Sequence, residues 1–270
     1  LIFDEFEEIV FKNHPLGRNI LGDPARLKSF RTEDALRWVQ RFYRPTNMVF
    51  FVQGNIPFKK VVREVEAATS DMPFMQTEKQ RFSLPAYEPC RVVRHKDTHQ
   101  AHVLIGSRAY SMHDEKRIPL FLLNNLLGGP GMNSRLNVSL RERKGLVYTV
   151  ESNLISYTDT GTFSVYFGCD PKDVNACIRL VRKELQRLCE QPLSAVQLKA
   201  VQKQTIGQIA VASDNFENLA LDMGKTFLHY NKYESQDAMF QRIAALTPEP
   251  LQQIAQEMFA DEALTTLLFV

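Results

Sequence analysis

The sequence predicts an α+β protein, and three observations carry that reading. Runs with an apolar residue every three or four positions recur along the chain and read as amphipathic helices. Between them stand short alternating or continuous apolar runs that read as strands. One unit, a Thr-capped helix followed by a break and an apolar strand, occurs twice, at Ser29–Val52 and Ala245–Val270.

Leu1–Phe11 reads as a helix with Phe3, Phe6 and Val10 on one side and Asp4, Glu7 and Glu8 on the other. Asn13-His14-Pro15-Leu16-Gly17 breaks it. A second helix is expected from Thr32, with Thr32 as its cap, through Ala35, Leu36, Val39 and Phe42. Arg44-Pro45-Thr46-Asn47 ends that helix, and Met48–Gln53 reads as a short strand closed by Gly54. Phe58–Ala68 is helical by its Val61, Val62 and Val65 spacing. Ser70–Pro89 is polar and carries prolines, so it reads as the linker of the chain. Strands are expected at Arg91–Lys96 and His102–Ser107, then a helix near Pro119–Leu127. Phe163–Gly168 alternates like a strand. Helices follow at Asp173–Cys189, Ser194–Ala212, Asn215–His229 and Thr247–Phe259, and Leu264–Val270 is a final strand.

In the repeated unit Thr32 matches Thr247, Leu36 matches Leu251 and Val39 matches Ile254, each 215 residues apart. The second repeat starts near Cys90. The same offset places the start of the first about 125 residues before Leu1, so the chain reads as a trimmed piece of a longer two-repeat protein.

Bulk composition excludes some classes. The chain has 270 residues, 44% of them apolar, enough for one large domain or for one domain and part of another. Thirty-three basic and 31 acidic residues leave a net charge of +2, too little to draw nucleic acid or an anionic membrane. No apolar run is long enough to span a bilayer. The opening LIFDEFEEIVF shows no basic leader or small-residue cleavage site, so no signal peptide is read. Cys90, Cys169, Cys177 and Cys189 lack C-x-x-C spacing and read as reduced thiols of a cytoplasmic protein rather than disulfides or zinc ligands.

The most informative stretch is Gly128–Ser152, GGPGMNSRLNVSLRERKGLVYTVES. It has a glycine-rich turn, a helix with clustered Arg and Lys, a glycine stop and a strand. Arg141 and Tyr148 stand seven residues apart and flank the stop, where a cation and a phenol can converge on one ligand oxygen. Taken alone, Arg141-Glu142-Arg143-Lys144 would be a solvated helix end with its cations where the dipole favours them. Tyr148 alone would be a half-buried strand aromatic.

The whole block, G-G-x-x-x-x-S-R-L-x-x-x-L-R-E-x-x-G-L-x-Y, resembles the second half of the pitrilysin/insulinase (M16) zinc peptidases, in particular the small subunits. His14-Pro15-Leu16-Gly17 with Leu21-Gly22, Tyr43-Arg44-Pro45-Thr46-Asn47-Met48 with Gly54-Asn55, and Gln100–Gly106 are similar to further segments of that family, in the same order. The resemblance implies antiparallel sheets with helices on one face, in a repeated processing-peptidase-like domain. It implies that residues 1–77 are the tail of a truncated zinc-bearing domain and 78–270 a second, non-zinc domain. It assigns Arg141 and Tyr148 to binding the carbonyl of a peptide substrate. It places no catalytic residue and no metal ligand in this chain, because the inverted motif H-x-x-E-H is absent. Phe121-Leu122-Leu123-Asn124-Asn125 looks like a degenerate copy of that motif.

The function expected from the resemblance is part of a zinc metalloendopeptidase whose full-length parent carries the zinc and cuts peptides or unfolded segments. The chain alone is then inactive. A homodimer is expected, or a heterodimer with a zinc-bearing subunit. The alternative is a non-catalytic partner or core-protein-like subunit. Three other groups have plainer readings. His95 and His99, four apart and near His102, would face together on a helix as zinc ligands do. Their surroundings are strand-like and the segment lacks a Glu, so they read as a solvated strand end. His14, before a proline, reads as a capping or turn-packing residue. Asp114-Glu115-Lys116-Arg117 reads as a solvated charge run.

Overall fold

The computed structural model describes residues 1–74, 81–96 and 98–270. The expected domain boundary between Thr77 and Glu78 lies outside the described residues, as does Asp97 of the His95–His99 segment. In chain order the helices are α1 (Ile2–Val10), α2 (Pro24–Ser29), α3 (Thr32–Phe42), α4 (Phe58–Thr69), α5 (Arg117–Gly128), α6 (Val174–Glu190), α7 (Ala195–Ser213), α8 (Phe216–Tyr230), α9 (Gln236–Ala244) and α10 (Pro248–Phe259). The strands are β1 (Arg91–Arg94), β2 (Ala101–Ala109), β3 (Val147–Ser156), β4 (Gly161–Cys169) and β5 (Thr265–Phe269). A π-helix spans Asn137–Glu142. The chain divides into two compact units. One comprises Leu1–Ile20, Ser83–Gly207 and Met239–Val270, and the other Leu21–Phe82 and Gln208–Ala238.

The first unit is built on one five-stranded sheet in the order β1-β5-β2-β4-β3. The β1–β5 pair is parallel and the other three pairs are antiparallel. Alternation along β2 and β4 assigns the faces. Val103, Ile105, Phe163, Val165 and Phe167 are buried, and Phe163 packs against Phe259 of α10 with ring centroids 4.8 Å apart. The Cys189 thiol of α6 donates to the Ala255 carbonyl of α10 at 3.3 Å. Helices α5, α6 and α10 thus line one face, as a layered α+β fold requires.

Helix α1 crosses the opposite face. Its Ile2, Phe6 and Val10, with Phe11, form a buried cluster with Leu104, Leu267 and Phe269. Polar ties at the rim hold it there. Lys96 Nζ donates to Glu5 Oε1 at 3.0 Å, and the Tyr157 hydroxyl to Glu7 Oε1 at 2.6 Å. Arg108 Nε donates to the Val10 carbonyl at 3.0 Å while its guanidinium lies against the Phe11 and Tyr87 rings. Phe3, expected on the buried side, is 42% exposed but meets Tyr166 at 5.3 Å.

Residues 81–89, the described end of the Ser70–Pro89 linker, are irregular, yet Tyr87 is anchored: its hydroxyl donates to Thr265 Oγ1 at 2.8 Å.

The second unit contains α2, α3, α4 and α8 and no strand among the described residues. Met48–Gln53, expected as a strand, is irregular, with Phe50 and Val52 exposed. A strand needs a neighbour to take its backbone groups, and none of the described residues provides one. The cap of α3 also differs from expectation. Arg31 holds the N-cap position and Asp34 Oδ2 accepts its backbone N–H at 2.9 Å, with Thr32 the first helical residue. Thr247, its counterpart, is the N-cap of α10. The matched apolar positions fare differently too. Leu36 is 54% exposed and Leu251 1%; Val39 is 41% exposed and Ile254 4%.

Candidate functional site

The segment from α5 to β3 is shaped by close backbone approaches. A Cβ on Gly128 would stand 2.5 Å from the Ser152 backbone nitrogen, so only glycine lets α5 end this close to β3. Ser152 Oγ donates to the Asn124 carbonyl at 2.8 Å and pins the same crossing. Asn125 Nδ2 donates to Thr205 Oγ1 of α7 at 2.6 Å in the core. Of Phe121–Asn125, Leu122, Leu123, Asn124 and Asn125 are all buried.

The next helical run starts at Arg135 and widens to a π-helix over Asn137–Glu142. The Arg143 N–H reaches the Val138 carbonyl at 3.0 Å, the i→i−5 bond that defines the wider turn. Gly145 stops the run at φ +61, the left-handed conformation that L side chains avoid, and its N–H closes on the Arg141 carbonyl at 2.9 Å. Two residues on, β3 begins.

Arg141 lies in the last turn of the π-helix and Tyr148 at the start of β3, either side of Gly145. Both are exposed, Tyr148 by 65%. The aim of Tyr148 comes from a β-bulge. Val147 pairs with Cys169 and Thr149 with Gly168, so Tyr148 is the extra residue that β4 does not match. Val147 and Val150 stay buried while Tyr148 and Thr149 both face solvent, two exposed residues in a row that a regular strand would not give. Among the described residues neither the Arg141 guanidinium nor the Tyr148 hydroxyl has a hydrogen-bond or ion-pair partner. A guanidinium presents several donors in a fixed plane and a phenol one more. The two are therefore equipped to donate to a carbonyl oxygen, and neither can act as the attacking nucleophile.

The remaining sequence candidates take other positions. His14 caps the turn after α1: it is 8% exposed and its Nδ1 accepts the Leu16 N–H at 3.2 Å. His95 and His99 are exposed on the non-helical connection between β1 and β2. His102 Nδ1 and the Tyr166 hydroxyl lie 2.8 Å apart with their rings stacked. Burial first, then the nearby Glu151, raises the Tyr166 pKa. In the charge run Lys116 pairs with Glu257 at 2.7 Å, and the Tyr110 hydroxyl donates to the same carboxylate at 2.6 Å. Cys90 is exposed, the other three cysteines are buried, and all four are free. Among the described residues no three His, Cys, Asp or Glu side chains converge as a metal site would require. The described residues therefore offer no side-chain set that fits a zinc ion. No described helix is long and apolar enough to cross a membrane.

Residues 29–205 match the model of a known family, the peptidase M16 inactive domain. The chain belongs to the peptidase M16 family. It is 31% identical over 271 residues to an uncharacterized zinc protease of Streptomyces coelicolor, covering 95% of this chain and 57% of that protein. It is 26% identical to an uncharacterized zinc protease of Bacillus subtilis, covering 99% of this chain and 65% of the other. The M16 chain thus spans roughly three fifths of the length of these relatives. Two solved structures share its fold at a TM-score of 0.90. One is a protease from Helicobacter pylori, 18% identical, matched over 100% of this chain and 66% of that one. The other is a peptidase M16 inactive domain from Pseudomonas fluorescens, 14% identical, matched over 99% and 64%.

The bulge at Tyr148 has no local sequence signal, because it is set by pairing with β4. The wider turn over Asn137–Glu142 has none either.

Proposed function

We propose that this chain is the substrate-carbonyl clamp of a zinc metalloendopeptidase, with Arg141 and Tyr148 as the clamp. The observation that carries the reading is their placement on two elements about Gly145, both solvent-facing and, among the described residues, without side-chain partners. Peptide hydrolysis builds negative charge on the carbonyl oxygen. Donors set in advance stabilise that charge because they need not reorganise during the reaction. Arg141 supplies charge and a planar fork, and Tyr148 a second donor from the strand side. The water nucleophile, the zinc and its carboxylate base belong, in this reading, to sequence of the full-length parent beyond these residues. The names of the relatives and the inactive-domain description of the matching family support that division of labour.

The test is hydrolysis of a fluorogenic peptide by the full-length parent. Expected are chelator-sensitive cleavage by the parent and none by the 270-residue chain. Tyr148→Phe in the parent should lower the rate on the order of 10²–10³, and Arg141→Ala at least as much. Full activity of the Tyr148→Phe parent would sink the clamp. A parent that cleaves nothing alone but enables a separate zinc-bearing chain to do so would favour the second reading, a non-catalytic partner subunit.

A further inference from the structure

The turn between α5 and the π-helix borders a cleft of about 190 Å³. A single water takes about 30 Å³ in the liquid, so the cleft has room for a carboxylate- or phosphate-sized group. Its lining includes Asn125, Asn133, Ser134, Arg135, Gln197 and Gln204, and none of its nine residues is acidic. All belong to the first compact unit.

Arg135, Ser134 and Gln197 leave donors to a ligand. Asn133 and Gln204 satisfy each other. The Gln197 oxygen accepts the Ser194 N–H at 3.0 Å, which leaves its amide –NH₂ group. Arg135 is half-buried, and among the described residues its guanidinium makes no hydrogen bond or ion pair. Burial, followed by the neighbouring Arg187, pushes its pKa down, with Glu184 opposing. A cation so placed lacks a full counter-charge.

Ser134 is the second, independent sign. It caps the helical run, since its carbonyl accepts the Val138 N–H at 3.0 Å. A capping serine ordinarily turns its hydroxyl onto a first-turn N–H. Here the residue is 3% exposed, it lines the cleft, and its hydroxyl oxygen has no partner. A buried hydroxyl left unpaired is destabilising, and a ligand that takes it up removes that cost. The first-turn N–H groups and the positive end of the helix dipole favour an anion at the same place.

We propose that this cleft binds a small oxyanion, a carboxylate or phosphate group, through Arg135, the Ser134 hydroxyl and the Gln197 amide. It lies at the start of the helical run whose last turn carries Arg141, so the two sites sit at opposite ends of one short element.

Isothermal titration calorimetry of the chain with inorganic phosphate and, separately, acetate tests it, alongside thermal melts. Saturable binding of at least one anion is expected. Arg135→Gln should weaken it about tenfold or more, because a charge-assisted contact is lost. Ser134→Ala should weaken it several-fold while leaving the ligand-free melting temperature unchanged or higher, since it deletes an unpaired buried group. Arg143→Gln, an exposed cation outside the cleft, should leave binding intact. Binding of phosphate alone narrows the site to phosphate groups and binding of acetate alone to carboxylates, and either supports it. Absence of binding by both anions overturns the proposal. So does affinity that survives both cleft variants, or that falls equally with Arg143→Gln.

Discussion

Asn133 and Gln204 exchange two amide hydrogen bonds, Nδ2 to Oε1 at 2.8 Å and Nε2 to Oδ1 at 3.2 Å, across 71 positions of sequence. The pair ties the turn after α5 to α7. Gln204 also fills the space beside Gly131, where an added Cβ would come within 2.7 Å of its Nε2. Gln204→Ala should therefore free the turn without unfolding the unit. The expected loss is about 0.5–1.5 kcal/mol, the usual net worth of such bonds. Hydrogen exchange should quicken over residues 129–136 and stay unchanged in β4. Equal quickening in both would mean the pair holds the unit as a whole rather than the turn.

A dimeric parent would give the clamp reading a sharper form. In such a dimer the zinc of one chain would meet Arg141 and Tyr148 of the other. A mixture of an inactive zinc-site mutant and the strongly impaired Tyr148→Phe mutant should then recover part of the wild-type rate, because one chamber of the mixed dimer is intact on both sides. If the chains demonstrably exchange and the mixture stays inactive, the clamp does not act in trans.

Alkaline pH should destabilise the fold through its tyrosines. Burial is the first cause in Tyr87, Tyr110, Tyr157 and Tyr166, and each folded-state pKa lies above the ordinary 10.0. The unfolded chain therefore loses these protons first. Their contribution is complete below about pH 10 and is lost as pH rises. For Tyr157 the neighbouring Glu7 adds to the shift. Urea midpoints between about pH 8 and 11 should fall, and Tyr157→Phe should fall less steeply although it starts lower. An identical slope would mean that Tyr157 ionises as freely folded as unfolded.

The two copies of the repeated unit predict opposite sensitivities. Leu251→Ala removes a side chain that is 1% exposed and should cost about 2–5 kcal/mol by cavity formation. Leu36→Ala removes its 54% exposed counterpart and should stay within about 0.5 kcal/mol. Paired denaturant titrations of the chain measure both. A large loss from Leu36→Ala would show that the exposed copy has a partner in solution.

Local signals made much of the fold legible. The Thr247-Pro248 start of α10, the Asn215 cap of α8, the apolar spacing of α6 and the alternation of β4 all act within a few residues, so the sequence alone reveals them. Six-residue α2 offers less than two turns of periodicity and so carries no helical signature of its own. Met48–Gln53 shows the limit from the other side: its pattern matches β5, but pattern becomes strand only against a neighbour. In the candidate site, the helix end, the Gly145 stop and the strand start were readable around Arg141 and Tyr148. The bulge was not, since it is a property of two strands. Ser134 and Gln197 became visible only when α7 was laid beside the turn after α5.

Strand β5 has a consequence for how the protein is made. It lies inside the sheet, with β1 on one side and β2 on the other, and Leu267 and Phe269 form part of the floor on which α1 rests. Yet it is residues 265–269, while α1 is residues 2–10. During synthesis β1 has no partner, and α1 only part of its bed, until residue 269 has left the ribosome. Helix α1 thus waits for strand β5, some 255 positions later, with its apolar side partly uncovered meanwhile. Such long-range closure folds slowly and exposes the nascent chain to aggregation. The unit should therefore need holding, by a chaperone or by low temperature, late in its synthesis.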